Sequence, residues 1–364
     1  MQNSRTYSVI SAALVAWFQE ARRDLPWRRT KDPYALWVSE VMLQQTQVAT
    51  VVPYYERFLA RFPTVEALAD ADLGEVLALW QGLGYYGRAR NLHAAARIVR
   101  DEMGGHLPRD VDALRALPGI GEYIAAAIAS TAFDVPAPSL DSNVIRVITR
   151  VFDVDTDPNL APARRLIRDH ARALLPPEQP GLVNQAIMEL GAVICVARNP
   201  DCPRCPINAY CAARALGIQN ARPVRRPRRE LPHRDLVAAL IAREGRLLIV
   251  RRVPRGLLGG LWELPGGEPQ PGEDAAAALA RILRADLGLE VEVGTLAVTT
   301  ARTYSHFRAA TAVHRCAATG VPAPTGPWDA AQWLSPAEAP RYALTGATLQ
   351  ALRAIAWLPA TDDA

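Results

Sequence analysis

Residues 117–143 hold Leu117-Pro-Gly-Ile-Gly121 at one end and Ser139-Leu-Asp-Ser-Asn143 at the other. Pro118 and Gly119 punctuate the join between two helical segments. Two glycines let a backbone come close to a phosphate, and the first N–H groups of the next helix point at such an anion. An ordinary tight turn between helices fits the same residues. Asp141 opens another helix, where it can be a plain N-cap. A catalytic anion is favoured at that place too, because the helix dipole supports the ionised carboxylate.

Outward from this stretch, residues 6–216 read as almost entirely helical. Apolar residues recur at three- and four-residue spacing through Ser8–Glu20, Tyr34–Phe62, Leu73–Trp80, Asn91–Glu102, Val144–Phe152 and Val183–Val196. Pro and Gly mark the joins. Ala221–Arg229 has five Arg, two Pro and no acid, which predicts an extended basic linker. Beyond it the pattern changes. Asp235–Ala242 and Arg246–Val253 are strand-like runs joined at Glu244-Gly245, Asp274–Leu287 is a helix, and Leu289–Thr300 and Tyr304–Ala317 are further strands. The division expected is a helical domain over 1–216, a linker over 217–233 and an α+β domain over 234–364.

The length of 364 residues suits two domains, possible membrane spans of 18 apolar residues are absent, and Met1–Phe18 lacks the basic start of a signal peptide. Lysine occurs once, at Lys31, against 40 arginines. Chemistry through a lysine Schiff base therefore has almost no candidate. The net charge of +4 permits a polyanionic partner.

Four of the five cysteines fall in one loop, spaced Cys195-x6-Cys202-x2-Cys205-x5-Cys211. Such a cluster suits a metal centre in a reducing compartment rather than a disulfide framework. Zinc usually takes two short-spaced pairs, and only one is present; an iron–sulfur cubane accepts irregular spacing. The 4Fe-4S cluster is the expectation and zinc the alternative. Cys316 reads as a small buried hydrophobe.

Glu40 lies in a helical pattern, expected to run Tyr34–Val48, with Leu36 and Leu43 on its face. Apolar neighbours disfavour its charged form. The rim of an exposed stripe is the plainer reading. Gln44-Gln45-Thr46-Gln47, which follows, is a poor core face and a good set of hydrogen-bonding groups for bases.

Ser39–Val48 (SEVMLQQTQV), Gly82–His93 (GLGYYGRARNLH), LPGIG, LDSN and the four-cysteine loop, in this order, closely resemble the MutY family of adenine DNA glycosylases, a branch of the helix-hairpin-helix glycosylases. The resemblance runs from about residue 8 to 360. It implies an all-α glycosylase domain followed by an α+β reader of the opposite base. It also implies excision of adenine mispaired with 8-oxoguanine or guanine in double-stranded DNA, after the nucleotide is flipped out. A monomer in a bacterial cytoplasm, at the nucleoid and with no membrane association, is expected. By the same resemblance Glu40 protonates adenine and Asp141 stabilises the sugar cation, with Tyr123 and Asn143 in support. A protonated acid beside an ionised carboxylate is the pairing glycosidases use. Arg28, Trp27, Val48 and Glu189 match positions around the adenine. Gln45, Leu83 and Tyr85 match those that enter the stack or meet the opposite base, and Gly119 and Gly121 those that meet the DNA backbone. Core roles for Trp27, Val48 and Leu83, and a helix-surface role for Glu189, fit the sequence as well.

Two positions depart from the family pattern. Ser142 stands where glycine is usual, though serine can cap a helix. Tyr304-Ser305-His306 stands for Phe-Ser-His, keeping an aromatic wedge, with Ser305 and His306 as readers of the opposite base. The last domain also resembles a Nudix fold: Gly267, Glu273, Arg281, Leu283, Gly288 and Leu289 fit the Nudix frame. Ile282 and Ala285 replace two metal-binding acids, leaving Asp286 alone, so Nudix chemistry is not expected. The rival enzyme class is the endonuclease III type, a glycosylase and lyase for oxidised pyrimidines. Its attacking lysine corresponds to Tyr123 here. A DNA-binding iron–sulfur protein without chemistry is the non-enzyme rival, and Glu40 with Asp141 argues against it.

Overall fold

The computed structural model describes residues 2–224 and 230–359, the side chains of residues 2–4 excepted. Two compact units divide the chain: Met1–Asp70 with Asn91–Arg228, and Ala71–Arg90 with Arg229–Ala364. Among the described residues no helix is long and apolar enough to cross a membrane.

The helical part comprises α1 Gln2–Ala21, α2 Pro33–Leu43, α3 Val48–Arg61, α4 Val65–Asp70, α5 Leu73–Leu79 and α6 Gly87–Glu102. It continues through α7 Val111–Ala116, α8 Glu122–Ala132, α9 Ser142–Val151, α10 Ala161–Ala173, α11 Pro180–Val193 and the short α12 Ala212–Ala215. The window of helical spacing over Tyr34–Phe62 holds two helices, and the one expected over Tyr34–Val48 ends at Leu43. Gln44–Gln47 supplies no apolar residue for the packed face, and the chain turns there, with Thr46 N donating to Leu43 O at 3.3 Å and Gln45 at φ +57°. Helices α4, α7, α8 and α10 lay outside the six periodic windows. In the first unit, α1, α9, α10 and α11 close on a core that includes Ile10, Leu14, Phe18, Val147, Ile148 and Leu190. Burying each such side chain contributes roughly 1.5–3 kcal/mol.

In the second unit β1 His233–Arg243, β2 Arg246–Arg252, β3 Trp262–Glu263, β4 Gly266–Gly267, β5 Glu290–Thr303, β6 Arg308–Thr319 and β7 Trp328–Leu334 form one mixed sheet. Strand β1 runs parallel to β6, pairing His233 with Arg308 through Ile241 with Cys316. It carries Val237, Ala239 and Ile241 on the face covered by α13 Ala275–Leu287, and Ala238 and Leu240 on the face covered by α14 Gly346–Ala354. A strand buried on both faces reads as one apolar run, which is how it looks in sequence. The strand expected from Tyr304, β6, begins at Arg308 instead, so Tyr304–Phe307 is the turn between β5 and β6. Cys316 packs partly buried against the α13 face, and burial pushes its thiol up to about 11. Of the expected linker, residues 225–229 lie outside the described residues.

Candidate active site

Four elements of the first unit bring the expected catalytic residues together. Helix α2 is capped by Asp32, whose carboxylate accepts from Tyr34 N and Ala35 N, and its residues Tyr34–Ser39 are buried. That anchoring fixes Glu40, which is half-buried, on the face toward α8. Tyr123, the second residue of α8, donates its hydroxyl to Glu40 Oε2 at 2.6 Å. Burial raises the Glu40 carboxyl from its ordinary 4.5 to about 7; the Tyr123 bond pulls it down, the charge of Asp141 pushes it up and Arg28 opposes that. The Tyr123–Glu40 hydrogen bond joins α8 to α2, and Asp141 and Arg28 are near enough to act on the Glu40 charge. Burial also raises the Tyr123 phenol, so it stays a neutral donor.

Asp141 is the N-cap of α9: Oδ1 accepts from Val144 N at 2.6 Å, and Oδ2 from Asn143 Nδ2 at 2.8 Å. The cap is Asp141 itself and not Ser142. Its pKa is raised, with burial outweighing these donors, so the expected electrostatic support for the ionised form is present but does not win. Asn143 Oδ1 accepts from Arg146 Nη2 at 2.6 Å, and Arg146 donates in turn to Gly191 O and Cys195 O, each at 2.7 Å. Helix α11 comes this close because residue 191 is glycine; a Cβ there would lie 2.6 Å from Asn143 Cβ.

Glu189 is 1% exposed rather than a surface acid. Arg23 grips it through Nε at 2.8 Å and Nη2 at 2.7 Å, and Arg28 Nη2 adds a third contact at 2.7 Å. Burial pushes the carboxyl up, and the two arginines outweigh it and hold it at about 2. Arg23, Arg146 and Arg150 were not singled out in the sequence. The cluster of arginines around Pro26-Trp27 was the only available signal, and an arginine preference throughout the chain hid it.

The remaining positions differ in kind. Trp27 is buried, edge-on to Tyr55 with ring centres 5.3 Å apart, and Val48 is the half-buried first residue of α3. Gln45 is exposed with φ +57°. In the second unit Leu83 is buried, whereas Tyr85 is exposed with φ +49°. A bulky residue at positive φ is a genuine outlier, of the sort that collects at functional sites. At the α7–α8 turn Gly119 has φ +78°, and a Cβ would lie 2.6 Å from that of Asn91. Gly121 caps α8 without a side chain, and the space beside it is open. Ser305 and His306 are exposed and bonded to each other, Oγ to Nδ1 at 2.9 Å. Tyr304 is half-buried, and its ring lies on Phe307, centres 4.7 Å apart.

The four loop cysteines are free and half-buried, and line a small apolar recess with Val147, Leu190, Ile194 and Ile207. Burial pushes the Cys205 thiol up to about 12, and the other three sulfurs add to the rise. Four neighbouring thiols, two of which, Cys205 and Cys211, burial pushes up, are an unfinished site, completed by a cationic centre that binds thiolates. Among the described residues no group of three ligating side chains is arranged to hold a single ion. A cubane, with a separate iron for each sulfur, fits such a set. Arg150, 2% exposed, braces the loop: it donates to Cys195 Sγ at 3.3 Å, Val196 O at 2.7 Å and Gln219 O at 2.8 Å.

Three family models match parts of the chain. Residues 38–177 match the HhH-GPD superfamily of base excision DNA repair proteins, residues 195–211 the iron–sulfur binding domain of endonuclease III, and residues 236–354 the NUDIX domain. The chain is similar to the adenine DNA glycosylase of Mycolicibacterium smegmatis, 42% identical over 61% of this chain and 75% of that one. It is also similar to that of Rattus norvegicus, 40% identical over 71% of this chain, and spans 60% of that protein's length. A solved thermostable thymine-DNA glycosylase overlays on 59% of this chain and all of its own, with 29% identity and a TM-score of 0.55. With a helical glycosylase domain, an iron–sulfur loop and a Nudix-like domain, the chain belongs to the adenine DNA glycosylase family.

Proposed function

We propose that the chain excises adenine from duplex DNA where it lies opposite 8-oxoguanine or guanine, acting as a monomer and cutting only the N-glycosidic bond. The observation that carries this reading is Glu40 held near pKa 7 beside Tyr123 and Asp141. A buried acid still protonated at neutral pH can protonate a poor leaving base, a step worth roughly 10²–10⁴-fold. The capped carboxylate of Asp141 then stabilises the sugar cation, and Asn143 holds its second oxygen. The Glu189–Arg23–Arg28 cluster and Trp27 border the adenine, with Val48. Gln45, Leu83 and Tyr85 meet the opened stack. Gly119 and Gly121 seat a backbone phosphate. Cys195, Cys202, Cys205 and Cys211 would hold the 4Fe-4S cluster, whose contribution is to rigidify the loop. Functionally, 1–216 is the catalytic domain, 217–233 the linker and 234–364 the domain that reads the opposite base through Ser305 and His306.

Single-turnover release of free adenine from an 8-oxoguanine:adenine duplex tests the reading, and failure of a correctly folded, iron-loaded chain to release it would overturn it. The endonuclease III alternative is read by borohydride trapping. Lys31 is 72% exposed and pairs with Asp134, so no lysine serves the sugar and no adduct is expected. For the reader, Ser305→Ala with His306→Ala should narrow the preference for 8-oxoguanine:adenine over guanine:adenine; equal slowing of both substrates would remove these residues from the role.

A further inference from the structure

The hairpin of α7 and α8 carries the wrong charge for a phosphate seat. Over residues 111–132 its charged side chains are Asp112, Arg115 and Glu122, a net of one negative charge. Arg115 is taken up by Asp112, 3.1 Å away. Glu122 is the first residue of α8 and follows Gly121, which caps the helix with no side-chain acceptor. Its carboxylate suits the positive end of the helix dipole, yet it has the same sign as any phosphate drawn to that end. Arg168, 46 positions further along the chain in α10, answers it. Its Nε donates to Glu122 Oε1 at 2.9 Å, and its Nη2 lies 2.5 Å from the same oxygen.

The guanidinium is delivered from a fixed helix. Ala163, Ile167 and Ala171 hold the inner face of α10 in the core, and His170 stacks on Phe152 with ring centres 4.1 Å apart. Arg168 is 34% exposed and Glu122 40%. A pair this open to water adds little to stability. Its effect falls instead on the field at the mouth of the hairpin, where the guanidinium cancels a charge that would repel the DNA backbone. We propose that Arg168 makes the hairpin fit to bind DNA by neutralising Glu122, without itself touching a phosphate, which rests on the reading that Gly119 and Gly121 seat one. Arg168 is thus a positioning residue for the backbone and is indifferent to the bases.

Binding of the full iron-loaded chain to an 8-oxoguanine duplex tests this. The mispaired nucleotide is 2′-fluoro-2′-deoxyadenosine, whose fluorine destabilises the sugar cation and keeps the base in place. Arg168→Gln should weaken binding about fivefold at low salt, the scale of one charge interaction near a protein surface. The slope of log affinity against log salt should become shallower by up to about one. Glu122→Gln alone should strengthen binding by a like factor, and added to Arg168→Gln it should restore the parental affinity and slope. Arg168→Lys, which keeps the charge, should bind like the parent. Melting temperature, and adenine release at saturating duplex, should stay parental throughout. Unchanged affinity in Arg168→Gln overturns the proposal, as does a loss that Glu122→Gln fails to repair, the mark of a direct phosphate contact. Glu122→Arg separates either result from failure of the phosphate seat. Tighter binding with a steeper slope keeps the seat, whereas parental affinity and slope in both Glu122→Arg and Arg168→Gln remove the seat and the proposal together.

Discussion

Removing the Tyr123 hydroxyl should move the alkaline limit of catalysis upward. In the parent, Glu40 has a pKa of about 7. Half the molecules then hold the proton at pH 7, against roughly one in 300 for an ordinary glutamate near 4.5. Tyr123 opposes this state, because its 2.6 Å hydrogen bond favours the carboxylate. A hydrogen bond to a charged group is worth roughly 1.5–3 kcal/mol, and one pKa unit is about 1.4 kcal/mol. Loss of the hydroxyl thus raises the pKa by about 1–2 units. The protonated acid keeps a weaker bond to the same hydroxyl, so the lower figure is expected. The assay is single-turnover adenine release by Tyr123→Phe between pH 5 and 9.5 on one duplex, with binding checked at each pH. The parent should lose rate above about pH 7 and the variant above about pH 8, whatever happens to the plateau. A limb that stays in place or moves down would refute the coupling of Tyr123 to Glu40.

Stability carries the same signature. The folded chain holds the Glu40 proton more tightly than the unfolded chain, so stability falls as pH rises from about 4.5 to 7. Glu40→Gln should therefore exceed the parent by about 1–3 kcal/mol in urea at pH 8 and match it at pH 4; a gap independent of pH would contradict this. Glu189 has the opposite sign: its depressed pKa stabilises the fold above about 4.5, and the benefit fades as pH falls toward 2. Arg23→Ala should cost about 1–3 kcal/mol at pH 7, allowing for the exposure of Arg23, and less at pH 3; unchanged denaturation at pH 7 would show that Arg28 alone suffices. Arg150→Met strips donors from Cys195 Sγ and from several carbonyls. It should lower iron per chain and cost about 3–5 kcal/mol, read by metal analysis and thermal melting; full iron with a parental melting temperature would remove the brace from the account.

What was legible in the sequence was local chemistry. The change from helical to strand-like spacing near residue 233, the capping aspartate and the four-cysteine loop each depend on neighbours in the chain. The polar gap at Gln44–Gln47 was visible, yet apolar spacing resumed on its far side, so the end of the helix was read at Val48 rather than at Leu43. Glu189 shows the limit more sharply. An acid on an apolar helix reads alike whether water or two arginines face it, and those arginines stand more than 160 positions away. The placement of Tyr304 was hidden for a similar reason: the aromatic was plain, but its contact with Phe307 is set by the turn between β5 and β6. The net upward shift of Asp141 was not legible because the helix terminus is read locally, while burial is set by the whole unit.

The capping role of Asp141 means that chemistry and folding can part company in this chain. Asparagine caps a helix about as well as aspartate, and Glu40→Gln removes an acid that burial disfavours. A chain carrying either amide would express, melt cooperatively and retain its iron, and would still be silent on a mispair. Any survey that ranks variants of this protein by abundance or heat resistance would pass both as benign. Damage at these two positions is visible only to a measurement that follows the base itself.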